Sequence, residues 1–134
     1  MAERLHTAAV YLSRRLRVED EARGISGPRL AALSVLIADG PMRIGELAQI
    51  EQVEPPTMTR RVDAMQRDGL VHREPDPDDR RAVVLRATAK GRRTVERDRA
   101  HRVAMLAASV RELSPAQRAS LAEGLETLRS MLAR

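Results

Sequence analysis

A chain of 134 residues with 24 basic and 19 acidic side chains, a net charge of +5, has room for one domain with a modest core. It has no cysteine, which excludes a disulfide framework and a thiol redox sensor, and no run of ~18 apolar residues that could span a membrane as a helix. Tyr11 is its only aromatic residue, so it lacks platforms on which single-stranded bases could stack.

The N-terminal segment, with Glu3, Arg4 and His6 inside an amphipathic pattern, does not read as a cleaved signal, and a cytoplasmic protein is expected. From residue 3 to about 20, Leu5, Ala9, Leu12 and Leu16 recur at intervals of four, three and four, which is one face of a helix. Gly24 ends it, and Ser26 with Pro28 starts a second helix carrying Leu30, Leu33, Leu36 and Ile37. Asp39-Gly40-Pro41 stops that one. Ile44 to Glu51 predicts a short third helix with Ile44, Leu47 and Ala48 inward, followed by a turn at Glu51-Gln52-Val53. Pro55 and Pro56 suit the first turn of a fourth helix, where proline sacrifices no hydrogen bond. Met58, Val62 and Met65 mark its inner face and Gly69 closes it. Ala48, Val53, Met58 and Val62 are the small or apolar positions that let two helices of a helix-turn-helix cross closely.

Leu70 to Glu74 and Ala82 to Ala87 read as strands, the second with Val83, Leu85 and Ala87 on one face. Between them Asp76-Pro77-Asp78-Asp79 predicts a type I turn. Thr88 caps a long helix to about Val110, marked sparsely by Val95, Val103, Leu106 and Val110. Ser114-Pro115-Ala116-Gln117 is a capping box that opens the last helix, whose stripe is Leu121, Leu125, Leu128 and Leu132. The predicted fold is mainly α with a small β-hairpin wing. It is a single domain over 1–134, with a winged helix-turn-helix lobe at 28–88 and helical dimerisation regions at 1–25 and 89–134. The terminal stripes (Leu5, Leu12 and Leu16 at one end, Leu121, Leu125, Leu128 and Leu132 at the other) exceed what a small central core can cover. Stripes of this kind mark a partner surface, and an interleaved homodimer is the simplest closed solution.

Charge is unevenly placed. Thr57 to Arg102 holds 13 basic and 8 acidic residues, while the remainder balances 11 against 11. The whole positive excess therefore sits on the second helix of the helix-turn-helix, the hairpin and the helix after it, which points to a polyanionic partner. Opposite the apolar face of the fourth helix stand Thr57, Arg60, Arg61 and Ala64. Thr57 and Thr59 can donate hydroxyls to phosphate, Arg60 and Arg61 can fork onto guanine or clamp phosphates, and Ala64 lets a backbone approach. At the hairpin, Asp76, Asp78 and Asp79 would repel phosphate unless one of them holds a neighbouring guanidinium by a charged pair. Whichever of Arg80 and Arg81 points away from the domain can enter a narrow minor groove, where the negative potential is strongest.

The runs E-L-A, P-P-T-M-T-R-R-V-D-A-M, D-G-L-V-H-R and D-P-D-D-R-R-A-V-V-L-R-A-T-A-K-G together resemble the MarR (multiple antibiotic resistance regulator) family. The likeness covers the whole chain in element order and residues 44 to 91 in motif detail. It implies an obligate homodimer of winged helix-turn-helix subunits, joined through N- and C-terminal helices, that binds a palindromic operator in double-stranded DNA. It implies further that the helix with Thr57, Thr59, Arg60 and Arg61 reads the major groove. The family's D-x-R wing pair falls on Asp79 and Arg81, with Arg81 in the minor groove and Asp79 orienting it. The function implied is a transcriptional regulator, commonly a repressor released by a small anionic or lipophilic effector. The cysteine with which peroxide-sensing members respond is absent here. Of the aromatic residues that line family effector pockets only Tyr11 is present, with Arg15 as a nearby cation.

His6, His72 and His101 are scattered over three elements without ligand spacing, so no metal site is expected. Nothing supplies a nucleophile, base and orienter at recognisable spacing, so neither catalysis nor a cofactor is expected. Two other classes remain open at this point: a winged-helix module that docks an acidic protein surface, and an architectural DNA binder without effector or sequence preference.

Overall fold

A computed structural model describes residues 1–22, 24–79 and 81–133, with the backbone alone at 19–22. Among the described residues six helices and three strands follow in the order α1 (Ala2–Ala22), α2 (Gly27–Ala38), β1 (Met42–Arg43), α3 (Ile44–Ile50), α4 (Pro55–Arg67), β2 (Val71–Pro75), β3 (Val83–Ala87), α5 (Ala89–Arg111) and α6 (Pro115–Leu132). The helices and the hairpin strands fall where the patterning places them, with ends shifted by a residue or two. β1 is additional, since two residues are too few to show an alternation. It pairs antiparallel with β3, Met42 opposite Leu85 and Arg43 opposite Val84, and the sheet order is β1-β3-β2. In the hairpin Val71 faces Ala87, His72 faces Arg86, Arg73 faces Leu85, Glu74 faces Val84 and Pro75 faces Val83.

Side chains alternate across a strand. The opposed trio Arg43, Val84 and Glu74 therefore shares the outer face of the sheet with His72 and Arg86, and Met42, Leu85, Arg73, Val71 and Ala87 lie on the inner face. The core sits under that inner face. Leu30, Leu33 and Leu36 of α2, Leu47 and Ala48 of α3, Met58, Val62 and Met65 of α4, and Leu70, Val71, Leu85 and Ala87 of the hairpin form one buried cluster. Full burial stabilises side chains of this size by roughly 1.5–3 kcal/mol each, so three residues suffice to fix the roll of α4 about its axis.

Backbone geometry sets both ends of α4. Before it, the Val53 N–H donates to the Ala48 carbonyl at 3.0 Å and the Gln52 N–H to the Gln49 carbonyl at 3.1 Å, with Gln52 left-handed at φ +53°. After it, the Leu70 N–H reaches the Met65 carbonyl at 2.9 Å and the Gly69 N–H the Gln66 carbonyl at 3.0 Å, with Gly69 at φ +71°. These are the same paired bonds, the helix stop that turns on a left-handed residue. Thr88 then caps α5: its hydroxyl oxygen accepts the Gly91 N–H at 3.0 Å and donates to the Gly69 carbonyl at 2.7 Å.

The chain divides into two compact units, Met1–Asp98 and Arg99–Arg134, with the boundary inside α5 and not at its start. The first holds the core and the whole 28–88 lobe. In the second, α6 opens on its capping box, the Gln117 N–H meeting Ser114 Oγ at 3.2 Å and the Ser114 N–H meeting Gln117 Oε1 at 2.9 Å. No described residue from Arg99 onward is buried. Among the described residues no helix is long and apolar enough to cross a membrane.

Gly91 marks the closest approach in the lobe. A Cβ there would lie 2.3 Å from the Leu70 carbonyl oxygen and 3.1 Å from Leu33 Cδ1. Gly91→Ala is expected to lower the unfolding free energy by about 1–3 kcal/mol, read from urea denaturation followed by circular dichroism. An unchanged midpoint would show that the turn before β2 yields freely.

Candidate nucleic-acid interface

Each residue advances about 100° around a helix, so the burial of Met58, Val62 and Met65 turns Arg60 to the opposite side. Thr57, Thr59 and Arg60 are exposed and Ala64 is half-buried. Arg60 has no ion-pair partner among the described residues. The Thr59 hydroxyl donates to the Pro55 carbonyl at 3.0 Å, so its proton is used within the helix. Arg61 does not share the outward face expected of it. It lies on the flank of α4 towards α3, its Nη1 3.4 Å from Glu51 Oε2, with the two side chains only 13% and 16% exposed. One step of about 100° from Arg60 brings Arg61 back beside the buried face of Met58, Val62 and Met65, and its pair with Glu51 braces the crossing of α3 and α4.

The wing reverses over Asp76 to Ala82. The Asp76 N–H donates to the Ala82 carbonyl at 3.0 Å and the Ala82 N–H to the Asp79 carbonyl at 2.8 Å. The bond that closes the reversal thus runs from the Ala82 N–H to the Asp79 carbonyl, later than the expected 76–79, while the Asp76 side chain takes up the Asp78 N–H at 2.9 Å. Asp79 Oδ1 accepts the backbone N–H of Arg81 at 3.1 Å, so the contact between these two residues runs through the main chain. The Arg81 side chain is exposed and has no ion-pair partner among the described residues. Arg80 lies outside the described residues.

Three arginines that the sequence reading passed over join these parts. Arg43 on β1 directs Nε to Asp76 Oδ2 at 2.9 Å and Nη2 to the same oxygen at 2.7 Å, and Asp76 is only 8% exposed. The Asp78 N–H and then Arg43 hold the Asp76 carboxyl below its ordinary pKa, while Asp76 raises that of Arg43. Arg73, from the inner face of β2, binds Asp63 of α4 at 2.7 Å and also Gln66, which ties the wing to α4. On the outer face Arg86 grips Glu74 at 2.6 Å, and His72 Nε2 lies 3.2 Å from the same carboxylate. Arg86 foremost, then His72, lowers the Glu74 pKa, and Glu74 raises that of Arg86. At the far end of α4, Arg29 pairs with Asp68 and lowers its carboxyl pKa, and Lys90 Nζ donates to the Asp68 carbonyl at 2.7 Å. Cations at a helix C-terminus oppose its negative dipole end.

A model of the MarR family matches residues 25–83. An uncharacterized HTH-type transcriptional regulator of Mycobacterium bovis is 35% identical over 118 residues, 88% of this chain and 82% of that protein. The chain belongs to the MarR family. A solved MarR family protein from Bacillus stearothermophilus superposes with a TM-score of 0.82 at 28% identity, covering 99% of this chain and 93% of the other. A transcriptional regulator from Thermotoga maritima gives 0.82 at 26% identity, over 99% and 94%. As a MarR family member the chain is a DNA-binding transcriptional regulator with a winged helix-turn-helix, in which α3 and α4 form the helix-turn-helix and the β2–β3 hairpin the wing.

The remaining candidate residues of this MarR family chain lie elsewhere. Tyr11 and Arg15 are both exposed on α1, one turn apart. Leu5, Leu12, Leu121, Leu125 and Leu132 are exposed in the single chain, and Leu16 and Leu128 are half-buried. His6 lies on α1, His72 on β2 and His101 on α5.

The lowered carboxyl pKa of Asp76 sets a sign for pH dependence. Its stabilising effect is complete above the ordinary aspartate value of about 3.9 and is lost as pH falls through the lowered folded-state value. Asp76→Asn is expected to melt below the unmodified protein at neutral pH and to converge with it as the pH falls below about 4. Thermal melts across that range check this, and a gap that stays constant would remove the assigned role.

Proposed function

We propose that the chain works as a homodimer that recognises a palindromic operator in double-stranded DNA and represses transcription there until a small anionic or lipophilic effector binds. The observation that carries this reading is a pair of arginines on one lobe, Arg60 on the outward face of α4 and Arg81 at the wing turn. Both are exposed, and neither has an ion-pair partner among the described residues, although Arg29, Arg43, Arg61, Arg73 and Arg86 all do. A guanidinium without a carboxylate partner is free to meet phosphate or a base edge. In a major groove about 12 Å wide, α4 would present Arg60 to base edges, with Thr57 towards the phosphates. Arg81 would enter the adjacent minor groove.

The dimer is supported by the exposed leucines of α1 and α6 and by a C-terminal unit that buries none of its described residues. A second copy covers such faces under two-fold symmetry and sets two half-sites about one helical turn apart. Repression and effector release follow from the family resemblance, with Tyr11 and Arg15 as candidate contacts for the effector. The protein acts in the cytoplasm as a regulator and not as a catalyst.

Binding to a duplex selected from a random pool, measured against salt, tests the reading. Arg60→Ala and Arg81→Ala should each weaken binding by about 1–3 kcal/mol, and Arg61→Ala by less. Steep salt dependence without site preference would reduce the protein to an architectural binder. Neither property would leave a protein-docking module. A folded Arg81→Ala protein that binds as tightly as the original removes the wing from the account.

A further inference from the structure

We propose that Arg43 is a positioning residue for DNA recognition: by clamping Asp76 it fixes the angle at which the wing leaves the sheet and so aims Arg81. The inference rests on the DNA-binding reading of the wing given above.

The strand ladder ends at the Pro75–Val83 pair. Beyond it the wing is a bare reversal, and two-stranded ribbons are marginal on their own. The third strand does not reach that far, because β1 covers only Leu85 and Val84 of β3. Arg43, the last residue of β1, stands at the place where support by the sheet stops. Its backbone N–H is bonded to Glu46 Oε2 at 2.7 Å in the first turn of α3, which ties it to the helix-turn-helix. Its side chain crosses to the wing. Nε and Nη2 hold Asp76 Oδ2 at 2.9 and 2.7 Å, and Nη2 lies 3.5 Å from Asp79 Oδ2.

The two aspartates pass the constraint on. Asp76 Oδ1 accepts the Asp78 N–H at 2.9 Å and the Asp76 N–H closes the wing base on the Ala82 carbonyl at 3.0 Å. Asp79 Oδ1 receives the Arg81 N–H at 3.1 Å. A continuous set of hydrogen bonds and ion pairs thus runs from α3 through Arg43 to the backbone of Arg81. It gives the carboxylates of an otherwise phosphate-repelling loop a use, since charged pairs hold geometry better than neutral ones. A rigidly aimed side chain also loses less entropy on binding.

Two measurements test the proposal. In the free protein, Arg43→Met should speed amide hydrogen exchange at Asp76 and Ala82 by about tenfold and leave the core amides of α4 unchanged. Unaltered exchange at the wing base overturns the clamp whether or not DNA is bound. On the selected duplex, Arg43→Met and Asp76→Asn should each weaken binding about tenfold, yet by less than about twofold when Arg81 is already alanine. Losses that simply add in the double mutants overturn the aiming role, because they mean that Arg43 touches DNA itself or only supports the fold. The DNA-binding reading fails separately, if the unmodified protein prefers no duplex.

Discussion

The seating of α4 governs the rest of this molecule. Met58, Val62 and Met65 are wholly buried in the core they share with α2, α3 and the hairpin, and that alone decides which way every other side chain of the helix points. Arg60 must then face solvent, Arg61 must lie against Glu51, and Asp63 and Gln66 must turn towards the wing, where Arg73 meets them. The ends are equally determined. One left-handed stop at Gln52 precedes the helix and another at Gly69 follows it, while Arg29 and Lys90 hold its last residues to α2 and α5. A helix that reads base edges needs this restraint, because a side chain displaced by an ångström loses its hydrogen bonds.

The second theme is how a polyanion binder accommodates so many carboxylates. Asp63, Asp68, Glu74 and Asp76 are each held by a guanidinium, so much of the negative charge near the interface is spent on internal geometry. Surface ion pairs contribute little stability singly, and their value here lies in placement. They join α4 to β2, β2 to β3, and β1 to the wing loop, and each of them constrains an angle between parts that would have to meet two grooves together. Arg60 and Arg81 stand outside that network, so their guanidiniums are open to an external anion.

The fold was legible in the sequence wherever a period or a special residue carries the geometry. The helix faces follow from apolar residues at helical spacing, and Pro55, Gly69, Thr88 and Ser114 mark their ends through a fixed φ, a left-handed φ or a capping oxygen. The hairpin showed itself by alternation. β1 did not, because two residues carry no period. Gln52 holds a conformation that glycine would have advertised. The helix α4 and the wing were legible, but their connections were not: Arg43 and Asp76 are 33 residues apart and Arg29 and Asp68 are 39, and no local rule pairs them. Arg61 was misplaced by treating neighbouring arginines as one patch, although a single step around the helix separates an outward group from a half-covered one.

The central claim is that two copies of this lobe engage one duplex, each through α4 in a major groove and its wing in the flanking minor groove. Hydroxyl-radical footprinting on a duplex selected by the protein, read on both strands, addresses it most directly. A two-fold symmetric pattern is expected, with protected centres about one helical turn apart and a further protected minor-groove patch outside each. A single asymmetric patch, or even protection along the whole duplex, would contradict it.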